Sequence, residues 1–172
     1  AAFENSLDLG FGGFHGCLPS YRTHVVGASG TEEQLHDKGY RGKGKLIAVL
    51  DEGFNYTNIL VGFDSLRKTN RILDTYNFNL DTNHVFDFSS HGTQVLSTMA
   101  GIINGNYVGT APDAEYALYV TENGSSEQPF EMDNLVAAME RADSVGTDII
   151  TISLGYNTFN IGSTDASLRF AE

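Results

Sequence analysis

Apolar residues fall into runs and stripes along this chain. Residues 46–50 form a continuous apolar run of the type that is buried on both faces of a sheet. Residues 116–120 and the mostly apolar residues 148–154 predict two further strands. Apolar residues at helical spacing predict two helices between them, over about 93–103 and about 129–146. Strands that alternate with helices are joined by right-handed crossovers and form a parallel sheet. The pattern therefore predicts an α/β fold.

The residues ahead of the first strand differ in composition. Glycines interrupt any hydrophobic period in residues 1–30, and residues 31–36 read as a short helix that Thr31 can cap, with Gln34 three residues on. We therefore divide the chain into a loop-rich lead-in, residues 1–34, and an α/β region, residues 35–172.

Two residues with catalytic chemistry lie where the predicted topology would bring them together. Asp51 follows the first strand directly, and His91 stands at the start of the first long helix. Both positions face the carboxyl edge of a parallel sheet, where ligands and chemistry gather. Singly, an Asp after a strand is more often a turn former. Together, a carboxylate and a histidine are two members of a nucleophilic triad.

Four blocks of sequence surround these residues. They cover residues 42–53, 90–95, 109–114 and 148–155. In this order they resemble the catalytic Asp block, the catalytic His block, the Gly-x-Ala-Pro-x-Ala run and the Asp-Val-Ile-x-x-Ser-Leu-Gly strand of the subtilisin-like serine proteases, the subtilases. The resemblance spans about residues 35–157. It implies a three-layer αβα parallel sheet that is incomplete in this chain, with residues 35–172 as the amino-terminal part of the catalytic domain.

The resemblance also implies roles for individual residues. Asp51 would orient His91, which would act as general base and then general acid in peptide-bond hydrolysis through an acyl-enzyme. A carboxylate oxygen of Asp51 should then lie within about 2.6–3.2 Å of a ring nitrogen of His91. The main chain of an extended peptide would bind between two walls. One wall would comprise Ser153, Leu154 and Gly155, and the opposite wall Gly124, Ser125 and Ser126.

The nucleophile of the family is missing from the sequence. It stands in a Gly-Thr-Ser-x-Ala context, and no Gly-Thr-Ser occurs in the 172 residues. The resemblance therefore implies a serine endopeptidase whose Ser lies outside this chain, on a complementary C-terminal chain that completes the sheet beside residues 148–154. A noncatalytic fragment or a binding module on a protease scaffold is the alternative, although retention of both Asp51 and His91 counts against it.

Two further positions depart from the family pattern. Glu52 stands where subtilases usually have Thr or Ser, and Gln94 replaces their usual second histidine. Neither change removes a member of the Asp51–His91 pair. They indicate a divergent branch, so the substrate preference of familiar members should not be transferred to this chain.

The net charge and the composition limit the classes of molecule that this chain can bind. The net charge of −12 argues against nucleic acid, whose phosphates require clustered Lys and Arg. No apolar run approaches the roughly 18 residues of a membrane span, and no signal peptide is evident. Cys17 is the only cysteine, so the chain has no internal disulfide. By the resemblance, we expect a secreted or periplasmic protein that acts on peptides or proteins.

Metal binding is the remaining question. The histidines show no zinc-ligand spacing, and the proposed chemistry requires no cofactor. Many subtilases bind calcium, and an oxygen-rich segment over residues 70–87 could offer ligands to a structural ion, but Asn/Asp turns explain the same composition. Both interpretations stay open at this point.

Overall fold

The computed structural model describes residues 31–124 and 128–155. The elements, in chain order, are α1 (Thr31–Asp37), β1 (Leu46–Asp51), a 3-10 turn (Val61–Phe63), α2 (Asp64–Lys68), β2 (Ile72–Asn77), α3 (His91–Ala100), β3 (Ile102–Ile103), β4 (Tyr107–Val108), β5 (Glu115–Val120), α4 (Phe130–Ser144) and β6 (Ile149–Ile152). The predicted lead-in, residues 1–34, lies largely outside the described residues, and its boundary stays a prediction.

A parallel sheet of four strands, ordered β2-β5-β1-β6, forms the centre of the fold. Every residue of β1 is buried, as its continuous apolar run predicts. On one side Asp51 is level with Val120 of β5, and on the other Leu50 is level with Ile152 of β6. The last residue of β1 therefore lies between the ends of two neighbouring strands, in the position where parallel sheets place their chemistry.

Helices cover both faces of this sheet. On one face, Leu96 and Ala100 of α3 and Leu66 of α2 pack in a core with Val49 of β1. On the other face, the apolar stripe of α4 packs on Ala48, Leu50, Ala117 and Tyr119. The stripe comprises Met132, Leu135, Ala138 and Ala142. Two cores separated by one sheet make three layers, which confirms the predicted αβα architecture.

Strand β2 was not predicted from the sequence. Its pattern of buried and exposed positions is irregular, and only Asn77 is fully buried, so it lacks a strong strand signal. A bidentate ion pair holds it to α4, because Arg141 donates to both oxygens of Asp74 at 2.7 and 2.9 Å. Tyr119 of β5 also donates to Asp74, at 2.7 Å. Contacts between residues that are distant in the sequence therefore hold this strand in the sheet, and its local strand propensity contributes little.

The helix predicted over about 93–103 has different ends. It begins at His91 and stops at Ala100, because Gly101 adopts an extended conformation while its N–H still bonds the carbonyl of Ser97 at 3.1 Å. Ile102 and Ile103, expected in the helix, pair instead as an antiparallel ribbon with Val108 and Tyr107. Their apolar spacing suits either structure, so the prediction for these two residues was wrong.

Strand β6 forms one edge of the sheet. Asp148 sets its register by accepting hydrogen bonds from the backbone of Leu46 at 2.9 Å and from Lys45 at 2.7 Å. The strand spans Ile149–Ile152, shorter than the predicted 148–154. Its isoleucine side chains are unusually exposed to solvent for a parallel sheet, because Ile149 is 51% and Ile152 is 38% exposed. Within residues 31–124 and 128–155, no strand pairs with its outer edge.

No helix in the described part of the chain combines the length and the apolar character that crossing a bilayer demands.

Candidate active site

Asp51 and His91 are in direct contact at the carboxyl edge of the sheet. Nδ1 of His91 lies 2.8 Å from Oδ1 of Asp51, within the distance expected from the sequence. An ionised carboxylate only accepts hydrogen bonds, so Nδ1 is the donor. The backbone N–H of Glu52 donates to the same oxygen at 2.8 Å. These two bonds fix the Asp51 carboxylate against the imidazole and leave Nε2 of His91 as the nitrogen that can exchange a proton.

Two glycines allow the end of β1 and the start of α3 to approach this closely. A Cβ at position 92 would lie 2.5 Å from the carbonyl oxygen of Gly53 and 2.9 Å from Cβ of Asp51. A Cβ at position 53 would lie 2.6 Å from the backbone nitrogen of Ser89. Backbone atoms cannot yield as a flexible side chain can, so any larger residue would push the two elements apart. The Asp-x-Gly and His-Gly sequences therefore place the pair.

The two members of the pair differ in their exposure to solvent. Asp51 is fully buried, whereas the side chain of His91 is 41% exposed. Ser89 accepts a hydrogen bond of 3.1 Å from the backbone N–H of His91 and so fixes the start of α3. A rigid, buried carboxylate behind a half-exposed imidazole is the arrangement that a general base requires.

Burial and neighbouring charges shift both pKa values. Desolvation raises the pKa of Asp51 and outweighs the hydrogen bonds from His91 and Glu52. Its Oδ2 is buried and has no hydrogen-bond partner among the described residues. For His91, burial lowers the pKa, but the hydrogen bond to Asp51 and the charges of Asp51, Glu52 and Glu122 together raise it above the usual value. The site therefore stabilises a protonated imidazole.

The described residues of the predicted cleft walls follow β5 and β6, the two strands that flank β1. Ser153, Leu154 and Gly155 follow β6 directly, and Ser153 and Gly155 are exposed. On the other side, the backbone N–H of Thr121 donates to the carbonyl of Asp51 at 3.1 Å. Gly124 follows shortly after and lies against the carboxylate of Glu52. Ser125 and Ser126 fall outside the described residues. The peptide-binding roles of these wall residues therefore stay predictions.

The oxygen-rich segment, residues 70–87, comprises β2 and the turns that follow it. Oδ1 of Asn77 accepts hydrogen bonds from the backbone N–H groups of Asn79 and Leu80 at 3.0 and 3.1 Å, and Asp81 accepts one from the hydroxyl of Tyr76. Among residues 31–124 and 128–155, no three His, Cys, Asp or Glu side chains are grouped to hold an ion. Amide and backbone oxygens also bind calcium, so structural calcium stays an untested prediction.

Two acidic residues beside this site gained no role from the sequence: Glu122 was expected at the same edge of the sheet, and Glu131 was missed. Glu122, directly after Thr121, raises the pKa of His91 through its charge. Glu131, in the first turn of α4, is buried and accepts hydrogen bonds from the backbone near Gly124. The signal for Glu131 was a carboxylate in a helical first turn, on the face that carries Met132 and Leu135.

Known proteins resemble this chain in sequence and in fold. The minor extracellular protease Vpr of Bacillus subtilis (strain 168) is 33% identical over 134 residues, which cover 72% of this chain and 15% of that protein. Subtilisin E of the same organism is 34% identical over 133 residues, 76% of this chain and 31% of that protein. The chain thus spans less than a third of either relative.

A solved structure and a protein-family model lead to the same family as these relatives. The crystal structure of MycP1 with the N-terminal propeptide removed aligns with a TM-score of 0.52 at 20% identity, covering 81% of this chain and 42% of that one. At this identity the likeness shows the fold alone. A family model described as the subtilase family matches residues 42–170. The chain therefore belongs to the subtilase family of serine peptidases.

Proposed function

We propose that this chain supplies the aspartate and the histidine of a serine endopeptidase, and that a segment outside the 172 residues supplies the serine. One observation carries the proposal: the hydrogen bond of 2.8 Å between Nδ1 of His91 and the fully buried Asp51. Because Nδ1 is engaged, Nε2 is available to take the proton of a serine hydroxyl.

The chemistry follows from this geometry. Nε2 of His91 accepts the hydroxyl proton as the serine oxygen attacks the peptide carbonyl, and then returns it to the leaving amine to give the acyl-enzyme. A water attacks the acyl group in the second half-reaction, with His91 again as base. Asp51 holds the tautomer and stabilises the imidazolium that forms in each step. The raised pKa of His91, despite its burial, supports this role.

The substrate in this proposal is an extended peptide. It binds along the carboxyl edge of the sheet, between Gly124–Ser126 and Ser153–Gly155, and pairs with their main-chain groups as an added strand. The missing Cβ of Gly124 leaves space for the carboxylate of Glu52, which lies beside this wall. One relative is an extracellular protease, which supports secretion of the enzyme that carries this chain.

The edge strand β6 supports the placement of the serine. Its isoleucines are exposed although the strand continues a buried sheet, and long exposed edges are normally covered or paired. The relatives extend well beyond the length that this chain matches. We infer that a complementary C-terminal segment, on the same polypeptide or a separate chain, covers this edge and carries the nucleophile.

Co-expression of the 172 residues with such a serine-bearing segment tests the proposal. We expect the assembled pair to hydrolyse unfolded protein substrates, and expect no hydrolysis from either part alone or from a pair with His91→Ala. Glu140→Gln, at an exposed position of α4, is the control and should retain full activity. A pair that binds peptides tightly but never cleaves them would support the alternative, a noncatalytic binding module. Hydrolysis by the 172 residues alone would contradict the placement of the serine.

A further inference from the structure

We propose that Glu131 is a positioning residue for the Gly124 wall of the cleft. Its carboxylate clamps the backbone at Asn123 and at Gln128, and so sets where Gly124 lies beside Glu52. This inference rests on the proposed function, because it takes the Gly124 side of the cleft as a peptide-binding wall. Residues 121–124 are called the wall stem below.

Within residues 31–124 and 128–155, the clamp includes two hydrogen bonds to one buried carboxylate. Oε1 of Glu131 accepts the backbone N–H of Asn123 at 2.9 Å, and Oε2 accepts the backbone N–H of Gln128 at 2.9 Å. The side chain is only 1% exposed. Burial of a carboxylate is costly unless charge-assisted hydrogen bonds satisfy both oxygens. The bonds to Asn123 and Gln128 meet that requirement.

An ordinary helix cap explains only half of this arrangement. A Glu in the first turn that bonds back to an N–H three residues earlier is a common capping device, and Gln128 stands in that position. The bond to Asn123 has no such explanation, since Asn123 precedes the helix by seven residues and belongs to the wall stem. For favourable interaction with the helix dipole, the exposed Asp133 in the same turn suffices.

Two further side chains, Asn134 of α4 and Asn79 of the turn after β2, form hydrogen bonds with the wall stem. Asn134 of α4 donates to the carbonyl of Thr121 at 3.3 Å and to Oδ1 of Asn79 at 2.8 Å. Asn79 in turn donates to the carbonyl of Glu122 at 2.8 Å. Three successive residues of the stem are therefore each bonded by a side chain. The stem is also bonded to the end of β1, because the backbone N–H of Thr121 donates to the carbonyl of Asp51.

This construction has a kinetic consequence. Main-chain pairing along the wall contributes to the binding of residues that lie away from the scissile bond, whereas the chemistry at the bond depends on the Asp51–His91 pair. A loosened stem should therefore weaken the binding of long peptides and leave a minimal substrate almost unaffected. A residue with only a structural role would lower the rates for both substrates together.

The test uses the full-length protease with Glu131→Gln, which keeps the shape of the side chain but replaces one accepting oxygen by an amide group that cannot accept an N–H. Asp133→Asn is the matched control, because it removes the same charge from the same helical turn at an exposed position. Hydrogen exchange is followed at Asn123 and Gln128, and kcat and KM are measured for a four-residue peptide and for a single-residue ester.

With Glu131→Gln we expect faster exchange at both amides, and a fall of about tenfold in kcat/KM for the peptide, mainly through KM. The ester should change by less than about threefold, and Asp133→Asn should change neither substrate nor exchange. Should Glu131→Gln fail to fold, Asn134→Ala loosens the same stem and should give the same selective loss.

Unchanged exchange would overturn the clamp, and an equal loss for peptide and ester would overturn the positioning role. Both results leave the proposed function intact. If the wild-type protease hydrolyses neither substrate, the proposed function fails and the positioning role fails with it. Faster exchange at Asn123 and Gln128 would then identify the clamp as purely structural.

Discussion

Nδ1 of His91 donates a hydrogen bond of 2.8 Å to Asp51, a residue with no solvent exposure at the end of the central strand. Asp51 is the last residue of a strand, and His91 is the first residue of a helix. Neither can move without disturbing the core behind it. This rigidity and the half-exposed imidazole are the features that the proposed role of His91 as general base requires.

Removal of either member of the pair should abolish most of the activity in the complete enzyme. His91→Ala removes the base, and we expect kcat to fall by several orders of magnitude. Asp51→Asn keeps the shape but permits the wrong imidazole tautomer, and should cost about 10⁴-fold in kcat. Steady-state hydrolysis of a peptide library at equal folded concentrations measures both. Full activity in His91→Ala would remove the proposed mechanism.

The pH dependence of the activity should report the raised pKa of His91. The base works only when neutral, so kcat/KM should fall as the pH drops through the pKa of His91 in the free enzyme. That midpoint should lie above 6.5, because the hydrogen bond and charge of Asp51 and the charges of Glu52 and Glu122 outweigh burial. A midpoint below 6.5 would contradict the electrostatic account.

Glu52→Thr should shift that midpoint in a known direction. The substitution removes a negative charge that raises the pKa of His91, so the pKa should decrease and the acidic limb should move to lower pH. The carboxylate of Glu52 lies against Gly124, so we expect kcat at the pH optimum to change by less than about tenfold. Full pH profiles of both enzymes measure this. A shift toward higher pH would show that another group governs the limb.

Gly92→Ala should disrupt the site through sterics alone. Its Cβ would meet the backbone oxygen of Gly53 at 2.5 Å, and overpacking of this kind destabilises a fold by about 1–3 kcal/mol. We expect a loss of stability in that range and a large loss of activity, measured by denaturant unfolding and peptide hydrolysis. Gly62→Ala is the control, since a Cβ there has its nearest neighbour at 4.0 Å. Similar stability losses in both variants would refute the close-approach argument.

The exposed edge of β6 predicts the behaviour of the 172 residues in isolation. With Ile149, Ile150 and Ile152 between 36% and 51% exposed, we expect this chain to self-associate unless a complementary segment covers the strand. Ile149→Lys should reduce the association measured by sedimentation. A sharp cooperative melt of the unaltered chain, with monomeric sedimentation, would count decisively against an incomplete sheet.

The sequence predicted the elements whose signals are local. The run at 46–50 is typical of a buried strand, and the sequence around Asp51 and His91 was sufficient to indicate both the fold and the pair. Strand β2 was missed because its place depends on the distant ion pair between Asp74 and Arg141. Local periodicity also could not show that Ile102 and Ile103 leave the helix, since their partners follow only after a turn.

The candidate site was predictable only in part for the same reason. The contact between Asp51 and His91 follows from topology, because strand ends and helix starts share one edge of a parallel sheet. Glu131 could not be found in this way. Its role depends on which backbone N–H groups the chain brings to its carboxylate, and an acidic residue in a first helical turn is otherwise ordinary.

Alkylation by a peptidyl chloromethyl ketone tests the central claim most directly. In a serine protease this reagent is attacked by the serine and then alkylates the base at Nε2, so mass spectrometry of the digested full-length enzyme identifies both residues. We predict one adduct that joins His91 to a serine outside residues 1–172, and its loss in Asp51→Asn or after acid protonation of the base. An active enzyme that is inhibited by the reagent while His91 stays unmodified would contradict the account.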